Sequence, residues 1–211
     1  MKKPVLYYVY DPMCSWCWGY RPTWQTLQEK LKTRVEIQYR LGGLAPDSDA
    51  PMPDEMQTFL QQTWHKISQQ LGTEFNFDFW SRCRPRRSTY PACRAVIIAR
   101  EYDKEQAMYL AIQQAYYLQA KNPSELDTLA DIAATIGLDK AQFKEQLTSH
   151  DIEQKLTDEI AAARKLPIQG FPSLVLATDD EQVPIALDYH HWQTSYDSII
   201  SHLQNKTSAL L

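Results

Sequence analysis

No apolar run in this sequence approaches the roughly 20 residues that a membrane-spanning helix requires. Positive charge is not in excess: 22 lysines and arginines stand against 26 acidic residues, a formal net charge of −4. That balance argues against general affinity for nucleic acid or an anionic membrane. Histidine is sparse, and only His190 and His191 are close in sequence, which makes a weak ligand pair. There are only four cysteines, and Cys83 and Cys93 lack the close spacing of a zinc half-site, so no metal site is expected. There is neither an internal repeat nor a low-complexity segment. Lys2 and Lys3 mimic the basic start of a secretory signal, but the apolar run after them ends at Asp11-Pro12 and no small-residue cleavage site follows. A cytoplasmic location is the resulting expectation, and in a reducing compartment four cysteines are poor permanent staples.

The 211 residues are 44% hydrophobic and 23% charged, an ordinary globular composition. They suffice for one large domain or a domain carrying an insertion. The chemistry concentrates in Val9-Tyr10-Asp11-Pro12-Met13-Cys14-Ser15-Trp16-Cys17-Trp18-Gly19. Val5 to Tyr10 is rich in aromatic and β-branched residues, as a buried strand is, and Asp11-Pro12 breaks it. Tyr20, Trp24, Leu27 and Leu31 then recur at helical spacing, with Pro22 inside the pattern as a candidate kink. Cys14 is therefore expected in the first turn of a helix, with Cys17 one turn further in. A helix start presents unpaired N–H groups and partial positive charge, which favour a thiolate nucleophile. Cys14 would attack a disulfide and Cys17 would resolve the mixed disulfide. Half a zinc site and two ordinary buried thiols are the competing accounts of such a pair.

Val35, Ile37, Tyr39 and Leu41 alternate with polar residues, which predicts a half-buried strand ended by Gly42-Gly43. Strand, helix and strand within about 40 residues make a βαβ unit with parallel strands. Residues 45–53 are a proline-rich loop, and helical patterns then dominate to Lys165. Met56, Leu60, Trp64, Ile67 and Leu71 form one stripe, stopped by Gly72. The aromatic stretch Phe75, Phe77, Phe79 and Trp80 is read as packing between helices rather than as a ligand cage. Pro91 opens a helix with Cys93 in its first turn, and Ser124 is expected to cap a later one. Ser173 to Ala177 and Gln182 to Leu187 read as strands, the second an edge because it contains Pro184. Trp192, Tyr196, Ile199 and Leu203 give a closing helix, and Asn205 to Leu211 a frayed tail. The order is βαβ, a helical block, then ββα. It predicts an α/β fold in which residues 1–50 and 165–211 form one discontinuous domain and 51–164 a helical insertion.

With that order and Cys14-Ser15-Trp16-Cys17, the chain resembles the DsbA family of the thioredoxin fold over nearly its whole length. Within it, the cytoplasmic branch of FrnE-like proteins and predicted protein-disulfide isomerases is the most similar. Gly170-Phe171-Pro172-Ser173 carries the second part of the likeness. The resemblance implies a thioredoxin-like mixed sheet, a cis-proline at Pro172 facing the cysteine pair, and a Phe171 backbone that offers an edge to an extended substrate. It also implies disulfide-containing protein or peptide substrates, no tightly bound cofactor, and glutathione as a candidate co-substrate. Ser15-Trp16 departs from the Pro-His of periplasmic DsbA, which removes one source of thiolate stabilisation. Trp16 and Trp18 flank the site as a candidate apolar docking surface, with plain core packing the alternative for Trp18. Ser88 to Ala95 loosely resembles a helix start in kappa-class glutathione transferases and 2-hydroxychromene-2-carboxylate isomerases, which implies that Thr89 and Cys93 face the Cys14 pocket. Those relatives lack the paired cysteines.

Two candidates stand outside that pattern. Cys83 and Cys93 are a candidate second redox pair, or two isolated thiols. Arg82, Arg84, Arg86, Arg87 and Arg94 form one basic cluster, either a solvated face or an attractor for the carboxylates of glutathione or an acidic peptide. The expected function is a thiol–disulfide oxidoreductase or isomerase. The alternatives are a non-catalytic chaperone or protease adaptor on the same fold, and a glutathione-dependent transferase or isomerase.

Overall fold

A computed structural model describes residues 3–208, with side chains as far as Gln204. The chain opens with strand β1 (Val5–Tyr10), helix α1 (Ser15–Leu31) and strand β2 (Glu36–Leu41). Seven helices follow: α2 (Asp54–Leu71), the single turn α3 (Phe79–Arg82), α4 (Tyr90–Arg100), α5 (Glu105–Tyr117), α6 (Leu126–Thr135), α7 (Lys140–Gln146) and α8 (His150–Ala163). Strands β3 (Ser173–Ala177) and β4 (Gln182–Ile185) and helix α9 (Trp192–Ser208) complete it. The expected α/β architecture with a helical insertion is what forms.

The four strands lie in the order β2-β1-β3-β4. β1 pairs parallel with β2, as a βαβ crossover requires, and antiparallel with β3. Period-two alternation puts Leu6, Tyr8 and Tyr10 on one face, in register with Ile37, Tyr39 and Leu41 and beside Leu174 and Leu176. On that face Tyr8 stacks on Trp24 of α1 at 4.4 Å between ring centroids, and Tyr10 meets Tyr109 of α5 at 4.4 Å. Helix α1 and the helical insertion thus share one apolar surface, and a single cluster runs from Leu6 and Leu27 to Ile97, Ile112 and Leu156. Each such side chain contributes roughly 1.5–3 kcal/mol when fully buried.

The aromatic stretch after α2 packs inward, as expected. Trp64, 1% exposed, lies at 5.0 Å from Phe75, 4.9 Å from Trp80 and 5.4 Å from Tyr116. Gly72 ends α2 in the left-handed region (φ 68°), where its N–H reaches the Ser68 carbonyl. β4 is an edge strand, which accommodates Pro184, whose ring nitrogen has no hydrogen to donate.

Three expectations need correction. Ser124 does not cap α6: the cap position is Glu125, and the Ser124 hydroxyl, 1% exposed, donates to the Ser88 carbonyl at 2.7 Å. A buried hydroxyl was offered a carbonyl from a distant segment, and that partner won. β4 stops at Ile185 rather than Leu187, because the Ala186 carbonyl accepts from Ser195 of α9 at 2.8 Å instead of joining the ladder. The closing helix continues through Ser208, so residues 205–208 are helical in backbone, and 209–211 of the expected tail lie outside the described residues. No helix among the described residues is long and apolar enough to cross a membrane.

Candidate active site

The end of β1 is shaped by one buried carboxylate. Asp11 is 0% exposed, and its Oδ1 accepts the Met13 N–H at 2.8 Å, two residues on. This local turn, helped by Pro12, swings the chain out of the sheet. The Cys14 N–H then bonds the Asp11 carbonyl at 3.1 Å, and the Cys14 carbonyl accepts the Trp18 N–H at 3.1 Å, the first bond of α1. Cys14 is therefore the N-cap itself, in extended conformation (φ −81°, ψ 115°), rather than a residue of the first turn. No side chain caps this helix start, and no acidic residue lies in its first turn. The amino-terminal N–H groups of α1 thus have no side-chain cap beside Cys14.

Cys14 is 7% exposed, and its thiol donates to the Phe171 carbonyl at 3.3 Å. The Phe171–Pro172 peptide bond is cis. The Phe171 ring rests on Gly42, where an added Cβ would lie 1.9 Å from a ring carbon. The glycine after β2 thus admits the ring that accompanies the carbonyl at Cys14. Cys17, 0% exposed, sits one turn behind Cys14 in α1, and both cysteines are free thiols. Burial pushes the Cys17 thiol well up, and Cys14 beside it pushes the same way. Cys17 is accordingly held as a thiol.

Cys14 opens onto a cavity of about 260 Å³. Its walls include Trp16, Met52, Phe59, Thr89, Arg87 and Phe171. Trp16 is held edge-on to Tyr189 at 5.2 Å between centroids, with the Lys66 ammonium over its ring. Phe59 is 59% exposed at the mouth. Trp18 does not reach this cavity: its indole N–H bonds the Glu74 carbonyl and its ring stacks on Tyr117.

Thr89 is in the cavity wall, and its hydroxyl donates to Asp11 Oδ2 at 2.6 Å. Cys93 is not in the wall. It is fully buried behind Thr89, with its sulfur 3.6 Å from the same oxygen. Burial, with Asp11 alongside, pushes the Cys93 thiol well up. Cys83 donates to the Ala120 carbonyl at 3.1 Å, and neither it nor Cys93 is in a disulfide. The basic cluster splits. Arg94 is 7% exposed and gripped by Asp47 and Glu153, whereas Arg86 binds Asp49, Glu125 and the Ser124 carbonyl. Among the described residues no group of three or more potential metal ligands comes together.

In the sequence Asp11 stands out only as a chain breaker. It joins three segments, its own turn, the start of α4 and the loop after β2, since Oδ2 also accepts the Leu44 N–H at 2.7 Å. Burial raises its carboxyl, against the lowering effect of those donors. The one sequence signal was an acidic residue two positions before Met13 at the end of an apolar strand.

Several known proteins resemble this chain. The ClpXP adapter protein SpxH of Bacillus subtilis is 25% identical over 198 residues, 90% of this chain and 65% of the adapter. The chain thus spans less than two thirds of that relative's length. The structure of a candidate protein disulfide isomerase from Nitrosomonas europaea superposes with a TM-score of 0.83 at 26% identity, over 97% of this chain and 99% of that one. The cytosolic disulfide reductase DsbM of Pseudomonas aeruginosa, solved alone and with GSH, gives TM-scores of 0.72 and 0.69 at 22% identity, over 97% of this chain and 99% of that one. The DSBA-like thioredoxin domain matches residues 5–197, and the chain belongs to that family.

Proposed function

We propose that this protein is a thiol–disulfide oxidoreductase or disulfide isomerase acting through Cys14 and Cys17. The observation that carries this reading is the Cys14 sulfur, at an uncapped helix start in a cavity wall, with a buried thiol one turn behind it. The Cys14 thiolate attacks one sulfur of a substrate disulfide, forming a mixed disulfide and expelling the other sulfur as a thiolate. Cys17 then loses its proton and attacks the Cys14 sulfur. The Cys14–Cys17 disulfide forms, the substrate's second thiol leaves, and two electrons have passed to the substrate. The reverse sequence oxidises a dithiol.

Phe171, next to buried Pro172, forms the far wall against which an extended substrate backbone lies, Trp16 supplies an apolar docking surface, and Thr89 holds Asp11 in place beneath. Glutathione is a suitable small co-substrate, and a cytosolic setting agrees with the DsbM likeness. Residues 51–164 act as an insertion that closes the cavity from above, mainly through α2. A glutathione-disulfide or insulin reduction assay tests the reading: Cys14→Ser abolishes activity, and full activity in that variant rejects it.

A second reading has its own support. The SpxH relative is an adapter, and exposed Phe59 at the cavity mouth would suit a protein partner. Partner capture that is indifferent to both cysteines would favour adapter function.

A further inference from the structure

The cavity beside Cys14 carries charge of one sign. Arg86 and Arg87 are in its wall, and no carboxylate is among its lining residues. The two arginines are not equivalent. Both terminal nitrogens of Arg86 are engaged, by Asp49 at 2.6 Å and by the Ser124 carbonyl at 2.6 Å with Glu125 at 3.1 Å, and its Nε is sealed from solvent. Arg86 is therefore a structural clamp between the loop after β2 and the start of α6. Arg87 is partly buried and, among the described residues, its guanidinium has no hydrogen bond or ion pair. It lies near enough to Tyr116 to oppose the rise that burial causes in that phenol. A guanidinium in a wall without carboxylates, with its fork unoccupied, suits a planar two-oxygen anion.

Resting on the oxidoreductase reading, we propose that Arg87 is a specificity-determining residue: it binds a carboxylate of the incoming disulfide and so selects anionic, carboxylate-bearing disulfides over neutral ones. Trp16, Met52, Phe59 and Phe171 hold the aliphatic body of such a ligand, whose sulfur meets Cys14. Chemistry and selection are thereby separated. Cys14 exchanges with any disulfide that reaches it, and Arg87 governs which do so readily.

The test is single-turnover oxidation of the reduced protein, followed by acid quenching and thiol counting, at low and high salt. Glutathione disulfide is the anionic probe and 2-hydroxyethyl disulfide the neutral one. In each, one disulfide is consumed, the Cys14–Cys17 bond forms and two small thiols are released. Arg87→Gln is expected to slow the anionic probe by about tenfold or more, since one charge-assisted pair is lost. It should leave the neutral probe within about twofold and abolish the salt dependence of the first reaction. Arg82→Gln, an exposed arginine outside the cavity, is the control and changes neither rate. Equal slowing of both probes, or of neither, overturns the role of Arg87 while thiol exchange stands. Failure of the wild-type protein to react with either probe overturns both readings.

Discussion

The Cys14 thiol donates to the main-chain carbonyl of Phe171 at 3.3 Å, so the proposed nucleophile and the wall opposite it are in direct contact. What allows this is Gly42. Its absent side chain is filled by the Phe171 ring, and a Cβ there would stand 1.9 and 2.1 Å from two ring carbons. Gly42→Ala should displace the ring and its carbonyl. Overpacking of this kind costs about 1–3 kcal/mol of stability. Disulfide exchange should fall several-fold while circular dichroism stays native. Wild-type exchange rates in a folded Gly42→Ala protein would mean the Phe171 wall is not needed.

Asp11 should be both a structural hub and a source of pH dependence. Asp11→Asn puts an amide N–H₂ against donors from Met13, Leu44 and Thr89, so at least one buried donor loses its partner. The expected cost is about 1–3 kcal/mol. Because burial raises the carboxyl above its ordinary 3.8, the folded protein keeps a proton that the unfolded chain releases. This residue's contribution therefore declines as pH rises from 3.8 to the folded value and is lowest above it. Urea unfolding at a series of pH values should show that decline in the wild type and a flatter profile in Asp11→Asn. Parallel profiles would contradict it.

Cys83 and Cys93 should remain reduced under mild oxidation. Cys93 is sealed behind Thr89 at Asp11, and Cys83 is engaged with the Ala120 carbonyl. In the Cys14→Ser/Cys17→Ser double variant, thiol counting after mild oxidation should return both remaining thiols. Their loss together would establish the second redox pair.

Trp64 joins the aromatic cluster to the cavity wall. Trp64→Ala removes a fully packed ring and should cost about 3–5 kcal/mol, read from denaturant midpoints. A loss below 1 kcal/mol would mean that the cluster is not the anchor of α2.

Much of this was legible because it is local. The strand–break–helix pattern around Asp11-Pro12 places Cys14 at a helix start without any tertiary information, and period two alone identifies β2. What escaped depends on segments far apart in sequence. Ser124 chose the Ser88 carbonyl over its own helix start, and Asp11 gained donors from β2's loop and from α4. The arginine cluster read as one feature, yet its members are separated by whether an acid from elsewhere folds against them: Arg94 and Arg86 found partners, and Arg87 did not among the described residues. Composition shows charges, but pairing is decided by the fold.

The most direct test of the proposed chemistry is to trap its intermediate. Reduced wild type, Cys14→Ser and Cys17→Ser proteins are each mixed with glutathione disulfide, quenched with acid and weighed by mass spectrometry. Cys17→Ser should retain one glutathione on Cys14, the wild type should pass through that adduct to an internal disulfide, and Cys14→Ser should form neither. An adduct forming as fast on Cys14→Ser as on Cys17→Ser would contradict the assignment of Cys14 as the attacking thiol.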